Sequence, residues 1–208
     1  MRKYMGEVMG TFFLMLTVGC CVIAAASGVI APLAIGSALM VMVYAGGHLS
    51  GGHYNPAVTL GVWLRGRCPR QDVLPYFIAQ GVGAVLGSIA AQAIKGNGPI
   101  ARMVVPAGPA FTAEVLFTFA LVYVVLNTAT AKATAGNSFY GLAIGITVMV
   151  GAFAVGSVSG AVFNPAVAVG LGWIGLIGWP SVALYWIAEF LGGASAAWIF
   201  LSLNPEDR

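Results

Sequence analysis

Ser50-Gly51-Gly52-His53-Tyr54-Asn55-Pro56-Ala57-Val58 returns later in the chain, in altered form, as Ser159-Gly160-Ala161-Val162-Phe163-Asn164-Pro165-Ala166-Val167. Each copy reads Ser-Gly, three residues, then Asn-Pro-Ala-Val. Asn is a preferred N-cap, and Pro fits the first helical position because its missing N–H would be unpaired there anyway. Each copy therefore predicts the start of a helix. The apolar run after Asn55 reaches Leu64, and the run after Asn164 reaches Ile174. At the helical rise each is roughly 15 Å long, about half of a hydrocarbon core roughly 30 Å thick. Two such half-helices meeting tip to tip would cross a bilayer once between them.

The repetition extends beyond this stretch. Leu33-Ala34-Ile35-Gly36 returns as Leu142-Ala143-Ile144-Gly145, and Tyr76-x-Ile78-Ala79 as Tyr185-x-Ile187-Ala188, each 109 residues on, the same offset as Asn55 to Asn164. Glu7-Val8-x-x-Thr11-Phe12 returns as Glu114-Val115-x-x-Thr118-Phe119 at an offset of 107. The chain reads as a duplication, with repeats 1–95 and 110–208 inside a single transmembrane domain, 1–208.

Composition places that domain in the bilayer. The chain is 60% hydrophobic and 7% charged, against roughly a quarter charged in a soluble domain. Cys20, Cys21 and Cys68 have no metal spacing, and the odd count argues against a disulfide framework. Arg2-Lys3, an apolar run and Ala24-Ala25-Ala26 superficially resemble a cleaved secretory signal. The run carries the Glu-Val-x-x-Thr-Phe element that the second half repeats, so it reads as retained structure. Apolar runs predict six full spans at about 4–26, 32–47, 73–94, 110–130, 140–155 and 180–203, with Ser27-Gly28 ending the first. A Gly- and Pro-rich connector, 95–109, joins the halves.

Lys and Arg placement sets the orientation. With the N-terminus inside, seven of the nine basic residues fall on the cytoplasmic side: Arg2, Lys3, Arg65, Arg67, Arg70, Lys132 and Arg208. Only Lys95 and Arg102 fall outside. Both termini are thus expected to be cytoplasmic, in a plasma (inner) membrane. Three spans per repeat make the second copy enter from the opposite face, an inverted repeat with its site near the midplane between broken helices. The expected fold is an all-α membrane protein of six transmembrane helices plus two half-helices in an inverted three-plus-three repeat. Glu7 and Glu114 are ionisable groups within spans, which cost about 2.5 kcal/mol or more unless partnered. They are expected to be structural buried acids that hydrogen-bond the backbone leading into each half-helix. A proton-relay role is the sharper alternative.

Paired Asn-Pro-Ala half-helices in such a repeat resemble the aquaporin (major intrinsic protein) family along essentially the whole chain. The family's motif stands here as Gly47-His48-Leu49-Ser50-Gly51-Gly52-His53-Tyr54-Asn55-Pro56-Ala57-Val58-Thr59. The resemblance implies an aquaporin-like fold, a passive pore in each subunit and a homotetramer. It makes Asn55, Pro56, Ala57, Asn164, Pro165 and Ala166 the paired pore motifs. By spacing from those motifs, the family's four-residue filter falls on Ile35, Ala152, Ala161 and Val167. The family usually has an aromatic residue at the first of these and an Arg at the last. All four are apolar here, so the resemblance implies a wider, drier, uncharged constriction. Ala168 replaces the Asp of glycerol channels, Tyr185-Trp186 resemble the aromatic pair of water channels, and Val at the Arg position resembles a bacterial branch associated with arsenic resistance.

Two facing helix N-termini put about half a positive charge each at the centre. Together with Asn55 and Asn164 as donors, they would oppose cations and interrupt proton relay. His53 is expected to line the cytoplasmic vestibule, and His48 to be structural, satisfied by neighbouring helices. How Tyr54, Phe153 and Phe163 pack is left open. The expected function is passage of water, of glycerol-like solutes, or of undissociated metalloid acids such as arsenite. A coupled secondary transporter using Glu7 and Glu114 is the alternative. Expected partners are water, small neutral solutes and the lipid bilayer. Nothing in the sequence suggests an enzyme, a cofactor, a metal site or a nucleic-acid partner.

Overall fold

Asn55 and Asn164 cap two nine-residue helices, and the longer helices are arranged around the point where those two begin. A computed structural model describes residues 1–23, 28–96 and 100–207. Its main helices are α1 (Arg2–Val22), α2 (Ala31–Ser50), α3 (Pro56–Leu64), α4 (Arg70–Lys95), α5 (Ala107–Val125), α6 (Tyr140–Ser159), α7 (Pro165–Trp173) and α8 (Trp179–Leu203). α5 continues into a π-helical turn, Leu126–Thr130. Among the described residues, six helices are long and apolar enough to cross a membrane, and α3 and α7 are the half-helices. The fold is all-α, as the sequence indicates.

α3 and α7 are each about 14 Å long at the helical rise. They start one residue later than the capping Asn and end at Leu64 and Trp173. α2 and α6 run three and four residues past their predicted ends, to Ser50 and Ser159. The physical stop is the next residue in each case, Gly51 at φ 90° and Gly160 at φ 83°, a left-handed conformation that glycine adopts without a Cβ clash. The predicted end of the first span at 24–26, its Ser27 stop, the Ala24-Ala25-Ala26 site, part of the connector (97–99) and Arg208 lie outside the described residues.

The halves interlock. α1 packs along α4, α5 along α8, and α2 crosses α6; α3 rests on α8, while α7 rests on α4. Each half-helix is thus supported by the last span of the other half. Large apolar side chains such as Leu74, Ile78, Ile187 and Trp198 remain exposed on the outside, as a lipid-facing surface requires. At one end Arg65, which follows α3, ties the π-helical turn after α5 to the C-terminal segment. Its guanidinium is buried, donates to Thr130 and to the Asp207 carbonyl, and pairs with the Asp207 carboxylate at 3.4 Å.

Small residues permit the closest crossings. Gly36 and Gly145, matched in the repeat, face each other where α2 meets α6. A Cβ on Gly36 would stand 2.6 Å from the Gly145 carbonyl oxygen, and one on Gly145 would stand 2.5 Å from that of Gly36. Backbone cannot yield there without parting the helices. Gly36→Val should therefore destabilise the protein by about 1–3 kcal/mol, the usual range for overpacking. Thermal unfolding in detergent reads this directly, and an unchanged melting temperature would show that the crossing is loose.

Candidate functional site

The backbone before each half-helix is shaped by a buried carboxylate. His53 and Tyr54 donate their N–H groups to Glu7 at 3.0 and 2.6 Å, and Val162 and Phe163 donate theirs to Glu114 at 3.0 and 2.7 Å. Successive N–H groups converge on one anion only where the chain alternates conformation. Accordingly, Tyr54 (φ 50°), Ala161 (φ 53°) and Phe163 (φ 49°) lie in the left-handed region that L side chains rarely occupy. Glu7 also receives the Ser50 hydroxyl at 2.6 Å and the Gln80 amide at 2.8 Å. Both acids are fully buried.

That twist decides where the aromatic rings go. Tyr54 and Phe163 turn away from the centre and are completely covered. The Tyr54 ring fills the space over Gly10 and donates its hydroxyl to the Met42 carbonyl, while Phe163 packs on Gly151 and stacks on Phe117. Phe153 is exposed on the outer surface. None of these three rings borders the central cavity.

The two Asn side chains hold the half-helices together. Oδ1 of Asn55 accepts from the N–H groups of Ala57 and Val58, and Oδ1 of Asn164 accepts from those of Ala166 and Val167. Nδ2 of Asn55 donates to the Phe163 carbonyl at 2.8 Å, and Nδ2 of Asn164 donates to the Tyr54 carbonyl at 2.9 Å. Each amide thereby caps its own helix and ties it to the opposite lead-in. Among the described residues, one N–H of each amide has no protein partner, and both Asn residues line a cavity of about 250 Å³.

Ile35, Ala152, Ala161 and Val167 all border that cavity, with Leu14, Leu39 and Val148 continuing the apolar wall. No charged side chain appears among the described lining residues. A second cavity of about 640 Å³ opens toward the end that carries Arg67 and Lys132. His53 borders both and hydrogen-bonds Thr59 at 3.0 Å through Nδ1, so it stands at the neck between them. His48 corrects the sequence expectation: it is exposed and lines the second cavity instead of being enclosed by neighbouring helices. The final turns of α2 face that space, and hydropathy alone does not show it.

Sequence reading missed Gln80 and Glu189. They directly follow the matched Tyr-x-Ile-Ala quartets and keep the 109-residue offset, which was the available signal. Gln80 donates to Glu7 and to Thr59; Glu189 is fully buried and accepts the Asn164 N–H at 2.9 Å. The tyrosines of the quartets also correspond: Tyr76 donates to the Ser50 carbonyl and Tyr185 to the Ser159 carbonyl. Trp186 donates to the Pro165 carbonyl at 3.0 Å.

Known proteins share this architecture. A sequence profile for "Major intrinsic protein" matches residues 1–200. Aquaporin NIP1-3 of Oryza sativa subsp. japonica is 36% identical over all of this chain and 75% of its own length. Glycerol uptake facilitator protein-like 6 of Lactiplantibacillus plantarum is 33% identical over 99% of this chain and 92% of its own. Aquaporin Z of Rhodopseudomonas palustris is 34% identical over 99% and 94%. The X-ray structure of the aquaglyceroporin from Plasmodium falciparum superposes with a TM-score of 0.82 over 99% of this chain and 98% of that one, at 19% identity, which speaks to the fold alone. With its doubled capping motif, six spans and two interlocked half-helices, the chain belongs to the major intrinsic protein family.

Proposed function

We propose that this chain is a passive channel for water and small neutral solutes, glycerol-like molecules and undissociated metalloid acids such as arsenite among them, and is not an enzyme. The single observation that carries this reading is a central cavity whose wall is apolar, apart from His53, Ser159, backbone groups and the two Asn amides. Solutes without net charge can exchange water for those few polar groups, whereas ions would lose hydration with little in return. The relatives named for glycerol uptake and for aquaporin activity support the same class.

In this reading Ile35, Ala152, Ala161 and Val167 form the selectivity filter, and their small or aliphatic side chains leave room for molecules larger than water. Asn55 and Asn164, with Pro56, Ala57, Pro165 and Ala166 opening the half-helices, form the midplane donor pair that opposes cations and proton relay. His53 marks the inner neck. Repeats 1–95 and 110–208 make up one channel domain, four copies assemble as a homotetramer, and both termini face the cytoplasm of a plasma (inner) membrane, as the basic-residue count supports. Coupled transport through Glu7 and Glu114 is not favoured, because both carboxylates are engaged by lead-in N–H groups and neither borders the cavity.

Stopped-flow light scattering on proteoliposomes tests the reading. Under an osmotic gradient, then glycerol and then arsenite gradients, vesicles carrying the protein should equilibrate glycerol and arsenous acid several-fold faster than empty vesicles. Passage of water alone would overturn the broad filter, and a requirement for a pH gradient would restore the transporter.

A further inference from the structure

The two halves hold their lead-ins by the same device with one difference. In the first half, the amide of Gln80 supplies Glu7 with a hydrogen at 2.8 Å. In the second half, the residue at the matching place is Glu189, which as a carboxylate has no hydrogen to give. Glu114 uses both oxygens as acceptors, one for Val162 N–H and one for Phe163 N–H. Between them Glu114 and Glu189 take three successive backbone N–H groups, those of Val162, Phe163 and Asn164, so the two carboxyl groups adjoin along one short stretch of chain. Its Oε1 accepts from Asn164 N–H, and its Oε2 is buried without a protein partner. Both side chains are wholly buried, and no Lys, Arg or His forms an ion pair with either among the described residues. Tyr185 stands one turn before Glu189 on α8, and its hydroxyl is committed to the Ser159 carbonyl.

Two adjoining carboxylates in such a place cannot both be charged. Glu114 is already an acceptor twice over, which leaves the unpartnered oxygen of Glu189 as the site for a hydrogen. We infer that Glu189 stands as a neutral carboxylic acid whose Oε2–H donates to Glu114, doing for the outer lead-in what the Gln80 amide does for the inner one. A carboxylic acid meets every demand at once: its carbonyl oxygen accepts from Asn164 N–H, and its hydroxyl donates to Glu114. Glu189 is then a positioning residue. It fixes the backbone of the Asn164 cap and, through Glu114, the left-handed turn that sets Ala161 on the cavity wall. The assignment concerns the wall of the channel and stands whichever neutral solute crosses it.

Infrared spectroscopy of the protein in lipid, combined with flux, tests this. Wild type should show the carbonyl stretch of a buried protonated carboxylic acid, and Glu189→Gln should lack it. Glu189→Ala should lower water and solute flux about tenfold, the equivalent of one lost buried hydrogen bond, and Glu189→Gln, which can both accept and donate, should recover most of that loss. Absence of the protonated-acid band from wild type would overturn the inference. So would its survival in Glu189→Gln, or flux in Glu189→Gln as low as in Glu189→Ala. If Glu189→Ala fails to fold, the band comparison between wild type and Glu189→Gln decides by itself.

Discussion

Val167→Arg should reduce glycerol flux on the order of a hundredfold while reducing water flux only a few-fold. Val167 lies in the first turn of α7, is almost fully covered by protein, and presents its side chain to the central cavity. Its N–H is capped by Asn164 Oδ1, so a new side chain there leaves the backbone arrangement intact. Arginine would carry a long side chain into a cavity of about 250 Å³ that Ile35 and Ala152 also line. Its guanidinium gives water a donor set while taking the room that a three-carbon solute needs. A hundredfold loss corresponds to roughly 2.7 kcal/mol of added barrier. The variant also places a fixed positive charge where the wild type has none, so residual cation leak should fall. Stopped-flow traces of the two proteins under glycerol and osmotic gradients read the ratio. Equal glycerol flux in both would mean that this ring of residues does not set the passage.

The second large effect is on folding. Glu7→Ala removes the acceptor for four buried donors: Ser50 Oγ, His53 N, Tyr54 N and Gln80 Nε2. Each buried group left unsatisfied costs about 1–3 kcal/mol, and the left-handed Tyr54 backbone, itself roughly 1–3 kcal/mol above an unstrained residue, loses its anchor. Even partial relaxation leaves a loss comparable to the whole stability of a typical domain, about 5–15 kcal/mol. Glu7→Ala should therefore yield little monodisperse protein in fluorescence-detected size exclusion. Glu7→Gln, which keeps one acceptor oxygen but turns an NH₂ toward another donor, should fall between. Wild-type yield and thermal stability in Glu7→Ala would show that the lead-in holds its shape without the carboxylate.

These expectations join what the sequence shows to what it leaves open. The lead-in acids were legible because Glu7 and Glu114 are charges in apolar spans and recur with their neighbours. Glu189 met the first condition and sat beside a matched quartet, yet its partner in the repeat is an amide, so a search for repeated acids passes over it. The rings of Tyr54 and Phe163 were not legible. Their direction depends on positive backbone angles that bulky residues rarely adopt, and those angles exist only because carboxylates from α1 and α5 collect the adjacent N–H groups. His48 belongs to the same class: the motif names it, but only the packing of α2 decides that it faces open space.

By itself the sequence determined the elements of this protein: two capped half-helices, six spans, the repeated residue blocks and the need for each buried acid to find a partner. Those properties are local or periodic, since a cap is set by its next three residues and a span by one unbroken apolar run. The tertiary structure alone decided the meetings between distant groups. Asn55 donates to Phe163 and Asn164 to Tyr54, Gly36 opposes Gly145, and Glu114 and Glu189 take the N–H groups of the adjacent Phe163 and Asn164. Each of those contacts joins helices far apart in the chain, where no cap or period applies. Their positions follow from how the two halves interlock, because the bilayer leaves every backbone polar group to be satisfied within the protein.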